Sequence, residues 1–351
     1  MKKLTESDLK EKHSEKYQEL ENQIREKEQI LEGYKKEHGK LEVFFNKVID
    51  NINPVLELPK LYVKPNSFKG SPVIAVAQIS DSHMGEVQES NEIEGFNEYN
   101  PDICDRRSID YITRFIEWVD VQRHGYTINE CAVLVTGDLI SGDIQQLNVT
   151  NAFPTPVQCI RAAEILTKQI AFLASKFDKV TVHFLVEDNH SRLTLKPQMK
   201  EAGLNSLNYI VGYIAKAYLS THSNVEFNMY PMYEKVVRVS NRQYLLSHGH
   251  GIIGWAGIAY YGVERKVAKE SMARMQIIMD DINKSKQVGF HKFVIGHFHV
   301  PFDLPLYSCC GSVSGTGAYD HKNGRHAEPS QASWLVSSKW GDFNRINFIL
   351  K

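Results

Sequence analysis

Residues 73–83 read Val73-Ile74-Ala75-Val76-Ala77-Gln78-Ile79-Ser80-Asp81-Ser82-His83. The apolar run suits a strand buried in a sheet, and it ends at once in a small hydroxyl, a carboxylate and an imidazole. The same succession recurs four times downstream. Cys131 to Thr136 leads to Gly137-Asp138, and Val180 to Val186 leads to Asp188-Asn189-His190. Tyr244 to Ser247 leads to His248-Gly249-His250, and Phe293 to Ile295 leads to Gly296-His297-Phe298-His299. Helical periodicity fills the intervals, over Arg107 to Arg123, Val157 to Phe177, Leu204 to Leu219 and Lys266 to Lys284. In the first of these, Ile109, Ile112, Ile116 and Val119 step by three and four and so share one face. Strands alternating with helices on this scale specify an α/β sheet domain. In such sheets the carboxyl ends of the strands form the binding crevice, where the five polar clusters are expected to meet.

Working outward, Asn51 to Gly70 carries Pro54, Pro59, Pro65 and Gly70 and reads as a linker. Before it, Tyr17, Leu20, Ile24, Leu31, Tyr34, Leu41 and Phe45 recur at heptad-like steps, with Lys27 and His38 in the missing places and Gly33 and Gly39 weakening the helix. The expected organisation is a helical arm over residues 1–50, able to form a short coiled coil with a second copy or a partner protein. A linker over 51–70 and one domain over 71–351 follow. Across the 351 residues, 42% hydrophobic and 24% charged residues with Gly 22 and Pro 12 exclude disordered, collagen-like and small disulfide-stapled classes. Lys and Arg total 41 against 42 Asp and Glu, a net charge of -1, so no global field draws the protein to nucleic acid or to an anionic membrane. The five cysteines lack the spacing of a zinc site and suggest a reducing compartment. With no apolar leader at the N-terminus and no long apolar stretch, a cytosolic protein without membrane attachment is expected.

The clusters together offer carboxylates Asp81 and Asp138, the amide of Asn189, and imidazoles His83, His248, His297 and His299. Mixed nitrogen and oxygen donors without thiolate suit Mn, Fe, Zn or Ni rather than an iron–sulfur cluster. Seven donors are too many for one ion and about right for two divalent ions sharing a carboxylate, with Mg a further candidate. That is the arrangement in which one ion activates water and both clamp a phosphate. His250 and Asp143 are weaker alternatives as ligands.

Asp-x-His, Gly-Asp, Asn-His, His and Gly-His-x-His in this order resemble the calcineurin-like metallophosphoesterases, over a frame from Val73 to about Gly311, with Gly311-Ser312 also similar. The resemblance implies a sandwich of two mixed β-sheets flanked by helices. It also implies a first ion on Asp81, His83 and His299, a second on Asn189, His248 and His297, and Asp138 as the bridge. His190 resembles the family's non-ligand histidine, which stabilises the transition state or protonates the leaving oxygen. Asp188 stands where the family usually has Gly, and its side chain is expected to narrow the approach and add negative charge.

The family frame specifies phosphoester hydrolysis more closely than it specifies a substrate. The insertion from Gly85 to Arg107, with Phe96, Tyr99, Arg106 and Arg107, is a candidate cover offering stacking and phosphate contacts. Arg192 after His190, and Trp255, Tyr260 and Tyr261 with Arg265 and Lys266, pair aromatic and basic groups in the same way. A helical arm joined to such a domain resembles the SbcD-type DNA repair exonucleases and their phage relatives. A capping region is expected to be absent, because only about 50 residues follow His299. The expectation is a Mn-dependent DNA nuclease, exonuclease or endonuclease, in a bacterial or phage-infected cytosol. The alternatives are a phosphatase or phosphodiesterase for a small nucleotide or phosphoprotein, and a non-catalytic scaffold.

Overall fold

The computed structural model describes residues 71–144, 150–253 and 259–351, with a few positions between 18 and 32. By internal contacts the chain divides into Met1–Glu57 and Leu58–Lys351. In the first unit Gln18, Asn22, Arg25 to Gln29 and Glu32 are helical and exposed. Of the expected seam only Lys27 is among them. Its apolar residues, and the linker over 51–70, lie outside the described residues, as does Trp255.

The second unit contains two mixed sheets. One has the order β11-β10-β1-β2-β3-β4, from β1 (Ser71–Ile79), β2 (Tyr126–Val135), β3 (Lys179–Leu185), β4 (Val225–Tyr230), β10 (Ser330–Ser337) and β11 (Gly341–Ile349). The other has the order β5-β6-β7-β9-β8, from β5 (Glu234–Val239), β6 (Arg242–Ser247), β7 (Lys292–Ile295), β8 (Phe302–Asp303) and β9 (Tyr307–Cys309). The helices are α1 (Pro101–Gln122), α2 (Thr155–Ala174), α3 (Leu207–Tyr218) and α4 (Ala259–Asp280), besides shorter turns. This is the two-sheet α/β architecture that the resemblance implied. No helix among the described residues is long and apolar enough to cross a membrane.

The sheets pack face to face through one apolar cluster. Val76, Ala132, Leu134, Trp334 and Val336 come from the first sheet, and Val237, Tyr244, Leu246 and Val294 from the second. Two large rings in this layer keep polar tips, and both are satisfied: Trp334 Nε1 donates to Tyr244 Oη at 3.1 Å, and Tyr244 Oη donates to Asp342 at 2.6 Å. On the far side of the second sheet, Leu245, Phe293 and Ile295 pack with Val263 and Val267 of α4.

Helix α1 begins six residues before the expected Arg107. Asn100 accepts a hydrogen bond from Ile103 N at 2.9 Å and Pro101 occupies the first turn, a start signal present in the sequence. Its buried face is also wider than the apolar stepping suggested. Cys104, Tyr111 and Phe115 are buried with Ile112, Ile116 and Val119, while Ile109 is only half-buried.

Register then positions the site. In the parallel stretch, Ile79 pairs with Val135 and Val135 with Phe184, so the chains leaving β1, β2 and β3 emerge side by side. In the second sheet Leu246 pairs with Val294 and Ile295 with Cys309, which sets the exits of β6 and β7 next to each other. The buried Gln78 amide ties the two sets together, donating to Thr136 Oγ1 at 3.1 Å and to the Ile295 carbonyl at 2.9 Å.

Candidate metal centre

Backbone hydrogen bonds lock the exits of the strands. Asp81 N donates to Gly137 O and His83 N to Asp138 O, both at 3.0 Å, and Gly296 N donates to His248 O at 3.0 Å. The carboxylates add to this. Asp81 Oδ1 accepts from His297 N at 3.0 Å, and Asp138 Oδ1 accepts from His190 N at 3.2 Å. The price of such tight exits is local strain: Asp81, His83, Asp138, His297 and His299 all have left-handed backbone, with φ of 53, 44, 48, 71 and 61°. For residues other than glycine that conformation costs about 1–2 kcal/mol, and its concentration here marks a functional site. At Gly137, φ is 101° and a Cβ would lie 2.8 Å from His248 Nδ1, so only glycine lets the β2 exit pass the imidazole.

Three imidazoles are held by one device. His248 Nδ1 donates to Thr136 O at 2.8 Å, His299 Nδ1 to Asp320 Oδ2 at 2.8 Å and His190 Nδ1 to Ser141 O at 2.7 Å. Each ring is thereby fixed with its Nε2 turned toward a buried carboxylate, Asp138 for His248 and His190 and Asp81 for His299. His248 Nε2 lies 2.9 Å from Asp138 Oδ2 and 3.0 Å from Asn189 Oδ1. His299 Nε2 lies 3.0 Å from His83 Nε2 and 3.6 Å from Asp81 Oδ1. Two donor atoms each about 2.1 Å from one ion, at right angles, would be separated by about 3 Å. Asp81, His83 and His299 form one group able to hold an ion; Asp138, His248 and His297 form another; His83, Asp138 and His190 form a third. All seven ligand candidates thus come together, Asn189 through its contact with His248.

The electrostatics fit a cation site. Burial drives the carboxyl of Asp81 upward. Burial acts the same way on Asp138, yet the imidazoles of His248 and His190 outweigh it and hold that carboxyl well below the usual range. Burial lowers His83 and His297 well below the ordinary imidazole value. Burial also opposes charge on His248 and His299, but Asp138 raises the first to about 10 and Asp320 the second to about 9. An ion held by these two rings would have to displace their protons.

Several expectations change. Asp188 does not face the approach. Its buried carboxylate turns inward, Oδ2 accepting from Asp138 N at 2.8 Å and from Asn208, and Oδ1 from Ser191 N at 2.8 Å and Ser191 Oγ at 2.6 Å. Burial and the nearby Asp138 raise it to about 6. His250 belongs to none of the ligand groups and pairs with Glu187 at 3.3 Å, while Asp143 is exposed and also outside them.

Of the arginines expected to touch substrate, Arg107 is buried and donates to the carbonyls of Val313 and Ser314 and to Asn97. Arg192 donates to the carbonyls of Thr194 and Leu195 in its own loop, whereas Arg106 is exposed and only its Nε is used, donating to the Lys351 carbonyl at 3.4 Å. Within the expected cover, Tyr99 is buried and bonded to the Ser82 carbonyl, leaving Phe96 as the exposed ring. Lys266 is paired with Glu234 and Glu270. Asp320 escaped the sequence reading: nothing in the polar stretch around it distinguishes it from Asp143 until folding sets it against His299.

No protein-family model matches the chain, and no curated protein matches it. Among solved structures, vacuolar protein sorting 29 from Cryptosporidium parvum is 14% identical and aligns over 80% of this chain and 100% of its own, with a TM-score of 0.31. Vps29 from Entamoeba histolytica, crystallised with Zn2+, is 11% identical over 79% of this chain and 99% of its own, at 0.28. A predicted phosphoesterase from Streptococcus pneumoniae is 11% identical over 78% and 97%, at 0.27. None of these likenesses bears on which ligand or reaction the site takes.

Proposed function

We propose that this chain is a two-metal phosphoester hydrolase that cleaves phosphodiester bonds of DNA, with Mn as the working metal. The observation that carries the reading is Asp138: one buried carboxylate belongs to two of the three groups able to hold an ion. In this reading Asp81, His83 and His299 hold one ion, Asn189, His248 and His297 the other, and Asp138 both. The ions, when bound, supply Lewis acidity and a nucleophile at neutral pH.

The protein's own groups do the rest. Nδ1–H bonds to Thr136, Asp320 and Ser141 fix three rings before any ligand arrives, which avoids reorganisation during the reaction. His190 belongs to neither of the proposed ligand sets. With Nδ1 anchored on Ser141 O, its Nε2, 3.9 Å from Asp138 Oδ2, is the atom placed to pass a proton to the leaving oxygen. Exposed rings of Phe96, Tyr260 and Tyr261, with the exposed Arg106, support a nucleic-acid substrate, since bases stack on such rings without sequence preference.

The test is Mn-supplemented hydrolysis of labelled single- and double-stranded DNA, of bis-p-nitrophenyl phosphate and of p-nitrophenyl phosphate, with metal content measured in parallel. Asp138→Ala is expected to lose both ions and all hydrolysis. His190→Ala is expected to keep its metal and turn over about 100 to 10,000 times more slowly. Full activity of Asp138→Ala would overturn the site. Turnover of the small diester without DNA cleavage would overturn the substrate alone.

A further inference from the structure

Beside the metal centre, the insertion after β1 and the loop before β10 line an open pocket of about 580 Å³, within the roughly 300–1,000 Å³ usual for small-molecule sites. One wall connects to the metal centre: Asn97 Nδ2 donates to the carbonyls of Ser314 and Thr316, and one residue further Gly317 N donates to Asp320, the partner of His299. No ligand candidate of the metal centre lines this pocket, although Phe96 and Arg106, which support the nucleic-acid reading, do.

Two features define what the pocket can take. Phe96 stacks on His326, with centroids 4.4 Å apart and planes at 20°, yet it remains 56% exposed, so a large part of the ring is bare. A second planar ring can extend that stack. The other feature is charge. Arg107 is only 7% exposed and forms no ion pair among the described residues; its bonds go to two carbonyls and an amide, all neutral. Arg106 lines the same pocket and is exposed. Glu98 and Glu328 also line it, but both are exposed, where water screens them, whereas the Arg107 charge is buried.

A planar ring carried on an anion answers both features. We propose that this pocket binds a nucleoside monophosphate unit, its base stacked on Phe96 and its phosphate drawn by Arg106 and Arg107. The choice of a nucleotide rests on the phosphodiesterase reading; the pocket itself does not. Stacking of one base is worth about 1–3 kcal/mol, which is about a 5- to 150-fold change in affinity.

Calorimetric titration of the full-length chain with dAMP tests this, with deoxyadenosine, inorganic phosphate and an oligodeoxyadenylate as parallel probes. Phe96→Ala is expected to weaken dAMP binding at least fivefold. Arg106→Ala should weaken dAMP while leaving deoxyadenosine unchanged, and Arg106→Lys should recover part of the loss. Both side chains are exposed, so neither variant endangers the fold. Tighter binding of the oligonucleotide than of dAMP identifies the source as a strand, and equal binding identifies a free nucleotide; both support the pocket. Unchanged dAMP affinity in Phe96→Ala and Arg106→Ala, or phosphate bound as tightly as dAMP, overturns it. The titration repeated on Asp138→Ala separates the two readings. Binding that persists there and is lost in Phe96→Ala places the ligand in the pocket even if no hydrolysis is found, while binding lost only in Asp138→Ala overturns the pocket and leaves the metal centre standing.

Discussion

His299 and Asp138, which fall in different ligand groups, are held by different means. His299 depends on a side chain: Asp320, from a short helix over Ala318–Lys322, accepts its Nδ1 proton. Asp138 depends on its backbone: its N–H rests on the carboxylate of Asp188, which also takes two bonds from Ser191 and one from Asn208. The first support touches one ring. The second ties the exit of β2 to the exit of β3 and to α3, so it carries the carboxylate proposed to serve both ions and the loop with Asn189 and His190. Support through a side chain tunes one ligand, whereas support through the backbone fixes a whole corner of the site.

The largest effect is expected where the backbone is held. Asp188→Ala strips the acceptor from four buried donors, at about 1–3 kcal/mol for each one left without a partner. Calorimetry should show a melting temperature lower by several degrees, and metal titration should show both ions weakened. Asp188→Gly, which installs the residue usual in the resembling family, is expected to fare no better than alanine. A glycine variant with wild-type metal affinity would show that the brace is dispensable.

A smaller and more selective effect is expected from Asp320→Asn. Weakening the partner of one ligating histidine typically costs about 10–100-fold in metal affinity, and here it should fall on the ion at His299 alone. Equal loss of both ions would erase the contrast between the two supports.

Away from the site, the most gradual effect concerns pH. His183 in β3, stacked on Tyr230 with its Nδ1 3.0 Å from the hydroxyl, is pushed by burial from 6.5 down to about 4. Between those values the unfolded chain binds a proton that the folded chain refuses. Stability from this group is therefore full above pH 6.5, falls with pH below it and is lost near pH 4, by at most about 3 kcal/mol. Urea midpoints of His183→Gln should decline less steeply than those of the parent over that interval; parallel curves would remove His183 as the source.

Much of this was legible because the apolar runs before Asp81, Asp138, Asn189, His248 and His297 are short and sharply ended, and buried parallel strands leave that mark. Asn100-Pro101 shows that a start signal can be present and passed over when apolar stepping alone sets the boundary. Strands β4 and β5 were missed for another reason: half-buried and mixed in polarity, as in Glu226 and Asn228 or Lys235 and Arg238, they carry no continuous apolar run. The arginines illustrate a further limit. A guanidinium looks the same in sequence whether it stands in solvent, like Arg106, or is buried and tied, like Arg107, to the carbonyls of residues 206 and 207 positions away.

By itself the sequence determined the order of strands and helices in outline, the donor types and the chemistry those donors can perform, because these depend on local periodicity and on the side chains themselves. Only the tertiary structure decided which nitrogen of each imidazole faces the carboxylates, that Asp188 turns inward rather than toward substrate, that Asp320 serves His299, and that Phe96 and Arg107 wall a second pocket. The physical reason is distance along the chain. Asp188 meets Asp138 across 50 residues and Asp320 meets His299 across 21. Whether a carboxylate is a ligand, a brace or a solvated charge depends on the register of strands and the burial of its surroundings, which no local pattern records.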